Sequence, residues 1–159
     1  MTEPFDFDVL IAALRERVQA PSTDATPHRL DLIVNDTPFS LLPAAGFDGH
    51  IDAVAVFGDV GPLPQVGRAE AAIQLLESNL YLAGTGAPFY GCHPERPGHV
   101  LLSGRLPLHR LDPDKALEAL SFMATMAEEA REWLAPGAHP QRTAGRDATA
   151  ELLQAHTPV

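Results

Sequence analysis

Apolar positions fall first at helical spacing, then at strand spacing, and the alternation recurs along the chain. Phe7, Leu10, Ile11, Leu14 and Val18 share one face of a helix, with Arg15, Glu16 and Arg17 between them. Asp6 and Asp8 supply oxygens for the orphan N–H groups and negative charge at the positive helix end. Pro21 and the polar residues 22–27 end it. The period then drops to two. In residues 28–34, Leu30, Leu32 and Val34 alternate with Arg29 and Asp31, which predicts a strand. Asn35-Asp36 is turn chemistry, and residues 37–42 read as the returning arm of a hairpin. Pro38 has no N–H, so that arm is predicted to start late or lie at an edge. Residues 43–49 read as a loop, 50–57 (containing IDAVAVF) as a buried third strand, and the glycine- and proline-containing residues 58–67 as a connection.

A second helix is predicted over residues 68–83. Ile73, Leu76, Leu80 and Ala83 form one stripe, with Ala69, Ala72, Leu75, Asn79 and Leu82 beside it. That apolar arc is wide enough for burial on two sides, against the rest of the chain or against a second copy of it. Gly84 and Gly86 stop the helix. Residues 88–92 and 99–108 read as strands. Asp112, Pro113 and Asp114 then open a third helix, with Leu117, Leu120, Met123 or Ala124, Ala127 and Trp133 or Leu134 on its core face. The order α-β-β-β-α-β-β-α with short connections predicts an α+β fold, an antiparallel sheet with helices packed on it. Residues 1–135 form one domain. Residues 136–159 shift to Ala, Thr, Pro, Gly and Gln and read as a mobile tail.

Charge narrows the function classes. The chain has 159 residues with 21 acidic against 11 basic, a net charge of -10. That balance opposes nucleic-acid binding and docking on anionic membranes, both of which need clustered Lys and Arg. The single cysteine, Cys92, excludes an internal disulfide and a multi-cysteine zinc site. No apolar run approaches the roughly 20 residues that span a bilayer, and the acidic start MTEPFDFDV does not resemble a secretory signal. These features predict a soluble cytoplasmic protein without membrane insertion.

Candidate chemistry is sparse. Asp48-Gly49-His50 with Asp52, and Cys92 beside His93, are the combinations a small hydrolase would use. Asp48-Gly49 is ordinary turn chemistry, and a free cysteine is more often a small buried hydrophobe than a thiolate nucleophile. The histidines show no HxxxH or HxH spacing on one element, so neither a metal nor a cofactor is expected. Gly84-Thr85-Gly86 follows a helix C-terminus, the wrong end to cradle a phosphate. Apolar surface is what remains. In the third strand, Val54 and Val56 oppose Ile51, Ala53, Ala55 and Phe57, which implies either a helix on each face or an exposed groove.

Residues 75–91, LLESNLYLAGTGAPFYG, and residues 105–123, RLPLHRLDPDKALEALSFM, resemble two signatures of the class I type III secretion chaperones, the Tir-chaperone family. The first matches a Leu- and Asn-containing helix that runs through a glycine turn into an aromatic strand. The second matches the passage from the last strand into the last helix. The element order over residues 5–134, the size and the acidity agree, while the tail beyond Leu134 and the proline-containing link 58–67 depart from the pattern. The resemblance implies a non-enzymatic homodimer that holds the N-terminal segment of secreted effectors extended and soluble and presents it to the secretion ATPase. Carried onto this chain, it implies a dimer interface at Leu75, Leu76, Asn79, Leu82 and Phe89. It likewise implies an effector groove at Leu10, Leu14, Leu32, Phe39, Leu41 and Val54. The alternative is a regulatory or stress-related binding module of the same fold, outside secretion.

Overall fold

The computed structural model describes residues 6–18, 28–45, 52–84 and 86–136. Asp48, Gly49, His50, Ile51 and the predicted tail lie outside them, apart from Pro136. The described elements are α1 (Phe7–Val18), β1 (Leu30–Val34), β2 (Thr37–Pro43), β3 (Ala53–Pro62), α2 (Arg68–Leu82), β4 (Phe89–Cys92), β5 (His99–Pro107), a 3-10 turn (Leu108–Arg110) and α3 (Pro113–Leu134). The predicted α+β order is therefore the observed one.

Local chemistry explains most element boundaries. Asp6 caps α1, its carboxylate accepting from the Asp8 N–H at 3.1 Å. Asn35 and Asp36 both take left-handed φ angles, 46° and 59°, as a type I′ turn requires, and join β1 to β2. Asp112 caps α3 by accepting from the Lys115 N–H at 2.8 Å, with Pro113 in the first turn. That hydrogen bond, foremost among several contributions from Lys115, holds the Asp112 carboxyl below its usual range.

The five strands form one antiparallel sheet in the order β1-β2-β3-β5-β4. Leu30, Leu32, Val34, Phe39, Leu41, Val54, Val56, Val60, Val100 and Leu102 point to one face. α1 contributes Phe7, Leu10, Ile11 and Leu14 to the core on that face, and α3 contributes Ala116, Leu120, Met123, Ala124, Ala127, Ala130 and Leu134. Arg131 of α3 ties the layers together, donating to the fully buried Thr37 hydroxyl at 2.8 Å and to the Asp59 carbonyl at 3.5 Å.

Two expectations about strands are corrected. β2 neither starts late nor lies at an edge. It begins at Thr37 between β1 and β3. Pro38 is tolerated because its pairing with β3 begins only at Phe39–Gly58, so the missing N–H faces no ladder partner. β3 runs on to Pro62 through residues read as a connection, with a register shift between Asp59 and Gly61. Gly58 is required there because the Phe39 ring packs on its Cα. A Cβ at 58 would stand 2.7 Å from Phe39 Cε1.

Candidate interaction surfaces

The opposite face of the sheet carries no described helix. Ile33, Pro38, Ser40, Leu42, Phe57, Asp59 and Leu101 of β1, β2, β3 and β5 floor a cleft of about 750 Å³, walled on one side by residues 93–96. Ile33 is 65% exposed. Ala44, Ala53 and Ala55 form a small separate buried cluster on this face, with Phe57 against it. Of the two alternatives for the third strand, the described helices pack on the Val54–Val56 side.

Polar groups rim the cleft and are paired with one another. Arg29 Nε–H is shared between the two Asp31 carboxylate oxygens at 2.8 and 3.0 Å, and Ser40 Oγ donates to the same carboxylate. Arg96 pairs with Asp59 at 2.8 Å. His93 Nδ1 accepts from the N–H groups of Glu95 and Arg96 at 3.1 and 3.2 Å, which shapes the wall. An apolar floor whose rim charges are mostly paired, with only Asp59 Oδ1 buried without a hydrogen-bond partner, suits an extended apolar segment more than a charged small molecule.

β1 borders this cleft and is an edge strand. The two-residue turn closes on the Val34–Thr37 pair, so hydrogen-bonded pairs recur at Leu32–Phe39 and Leu30–Leu41. The backbone N–H and C=O of Asp31 and Ile33 therefore face outward, and among the described residues no strand pairs with them.

Asp48 and His50 of the hydrolase combination lie outside the described residues. Cys92 is exposed at the end of β4, and His93, the next residue, is turned into its own loop. Among the described residues, no group of three His, Cys, Asp or Glu is placed to hold a metal ion. No described helix is long and apolar enough to cross a membrane.

A second surface lies on α2. Ala71 and Leu75 turn inward, at 1% and 7% exposure, and the helix packs chiefly on β4. Its other apolar stripe stands open. Ile73, Leu76, Leu80 and Tyr81 are exposed, with Phe89 of β4 exposed near them. Asn79 reaches β4, where Nδ2 donates to the Tyr90 carbonyl at 2.8 Å and Oδ1 accepts from the Tyr90 N–H at 2.7 Å. Burial, and then the charge of Glu129, raises the Tyr90 phenol above its usual value. Its hydroxyl donates to the Met126 carbonyl at 3.3 Å.

No family model and no curated protein sequence matches this chain. Solved structures do. A chain of the ExsC–ExsE complex superposes with a TM-score of 0.65 at 18% identity, covering 86% of this chain and 99% of its own. The Yersinia pestis type III secretion chaperone SycH, solved with a fragment of YscM2, gives 0.58 at 13% identity, covering 79% and 99%. The HopA1–SchA chaperone–effector complex gives 0.56 at 14% identity, covering 81% and 99%. This is the class I type III secretion chaperone fold. The chaperone fold spans nearly the whole of these neighbours, so no large part of their architecture is missing here.

On the chaperone fold the residues assigned from resemblance fall in three places. Leu10, Leu14, Leu32, Phe39, Leu41 and Val54 are all core residues, 0–4% exposed. They pack in the core on the helix side, and of the six only Leu32 and Phe39 also border the cleft. The apolar residues that do stand open are their alternates on the other face, such as Ile33 and Pro38. Alternation had marked two faces without telling which the helices take. Of the dimer set, Leu76 and Phe89 are exposed, Leu75 faces the core, Leu82 is half-buried and Asn79 is engaged with β4. Ile73, Leu80 and Tyr81 join the open face. Ile73 and Leu80 were legible in the sequence as the outer stripe of the wide arc.

Proposed function

We propose that this protein is a cytoplasmic type III secretion chaperone. It binds the N-terminal segment of a secreted effector in extended form, keeps that segment soluble and presents it to the secretion ATPase. The observation that carries this reading is the open β1 edge beside an apolar cleft, on a chaperone fold. An extended client adds main-chain hydrogen bonds to Asp31 and Ile33 and lays alternate side chains over the cleft floor, the strand-addition mode of recognition. Ordering a disordered segment costs several kcal/mol, on the order of 2–5, so a broad wrapped surface is needed. A homodimer doubles that surface, and the open α2 face with Phe89 is where a second copy would pack. The net charge of -10 favours basic client segments and keeps the loaded complex in solution. The protein works by binding, with no catalytic step.

The test is affinity capture from the native bacterium with wild type and with Ile33→Pro. Proline removes the outward N–H at 33 while leaving the β1–β2 hydrogen bonds in place. Two copies of this chain holding one secreted protein near its N-terminus, lost on Ile33→Pro, would establish the function. A monomer without a protein client would refute it.

A further inference from the structure

Among the described residues the sheet has two unpaired edges, and they offer different things to an incoming strand. On β1 the outward backbone groups belong to Asp31 and Ile33, each with an N–H and a C=O. On β4 the pattern follows from the His93 N–H donating to the His99 carbonyl at 2.9 Å. Counting back by twos, Gly91–Leu101 and Phe89–Ser103 are the hydrogen-bonded pairs with β5. The outward positions are then Pro88, Tyr90, Cys92 and Pro94.

Pro88 and Pro94 have no N–H to give. Tyr90 gives its N–H to Asn79 Oδ1 and receives Asn79 Nδ2 on its carbonyl. A neighbouring strand would make the same two bonds. The carboxamide carries the donor and acceptor of a peptide unit, so Asn79 stands where the next strand's backbone would run. Tyr90 is pinned in turn through its hydroxyl to Met126. Cys92 is left as the one outward donor on β4, too few for a ladder. Short length, proline and covered backbone groups are the means by which proteins blunt a sheet edge.

We propose that Asn79 is an edge seal which, with Pro88 and Pro94, closes β4 to strand addition and confines an extended partner to β1. The proposal rests on the reading of this protein as a binder of extended segments. It sets one strand site per protomer. It also requires two copies to associate through the side chains of α2 and Phe89, not through a sheet continued across β4. A merely structural Asn79, tying α2 to the sheet, would lower stability when replaced but would open no new site.

Amide exchange and NMR titration of the isotope-labelled full chain test this. The probe is the synthetic peptide HVLLSGRLP, the sequence of β5, which is the natural antiparallel partner of β4. In wild type the peptide shifts the Asp31 and Ile33 amides and leaves Tyr90 and Cys92 unmoved. In Asn79→Leu the Tyr90 amide exchanges at least tenfold faster, and the peptide now shifts Tyr90 and Cys92 as well. Asn79→Gln keeps a carboxamide with both donor and acceptor, so its Tyr90 amide exchanges more slowly than in Asn79→Leu, a split that loss of stability alone would not produce. If Asn79→Leu does not fold, Asn79→Ser carries the same comparison. Shifts at Tyr90 in wild type overturn the seal, as does a freed Tyr90 amide that gains no peptide shift. Silence at Asp31 and Ile33 in every variant refutes docking at β1 and the client reading with it. New shifts at Tyr90 in Asn79→Leu would still uphold the seal.

Discussion

Leu76→Asp tests the α2 face by placing a carboxylate in the middle of the open stripe. Leu76 is 66% exposed in the isolated protomer, so most of its side chain gains nothing from folding. Fully burying a leucine is worth about 1.5–3 kcal/mol, which makes burial of the exposed two thirds worth about 1–2 kcal/mol. A twofold interface uses the residue twice, giving about 2–4 kcal/mol per dimer before any cost of desolvating the new carboxylates. At 1.4 kcal/mol per tenfold, the dissociation constant rises about 30- to 700-fold or more. Folding of the protomer changes little, because an exposed Leu→Asp in a helix costs only about 0.5 kcal/mol. Sedimentation equilibrium across a concentration series reads the result directly. Wild type should weigh twice the 17.0 kDa of one chain, and the variant should dissociate toward one chain while keeping its far-UV spectrum. A folded variant that holds the double mass at every concentration refutes α2 as the interface.

Gly58→Ala should force the fully buried Phe39 ring to move from a Cβ built 2.7 Å away, lowering stability by about 1–3 kcal/mol in urea unfolding. Arg131→Met should strand the buried Thr37 hydroxyl and cost about 1–3 kcal/mol, whereas adding Thr37→Val should recover much of that, read as a double-mutant cycle by the same unfolding. Asp112→Ala should lower the melting temperature at neutral pH through loss of the α3 cap. Because the folded carboxyl titrates below its unfolded value of about 3.9, its contribution is present above that pH. The gap between wild type and variant should therefore narrow as pH falls through the lowered folded value, and a gap that widens in acid would contradict the assignment. Ile33→Pro should leave the thermal melt of the fold near wild type while abolishing capture of an extended client.

The amino-acid sequence determined what neighbouring residues decide among themselves. The Asp6 and Asp112 caps, the Asn35-Asp36 turn, the strand alternation around Leu32 and the double stripe of α2 all rest on contacts within a few residues, so their chemistry was legible. Tertiary structure decided the rest. Alternation separated Leu32, Phe39 and Val54 from Ile33, Pro38 and Phe57. Only the packing of α1 and α3 settled that the first set is core and the second borders the cleft. The continuation of β3 past Gly58 depended on Phe39 from another strand and on pairing with β5, far along the chain. Asn79 looked like one more position in a wide helical arc. Its partnership with the Tyr90 backbone exists only because β4 is the sheet's outer strand and α2 lies along it. Local propensity fixes where a side chain points within its element, but which elements become neighbours is set by burying the shared apolar face, a non-local condition on the whole chain.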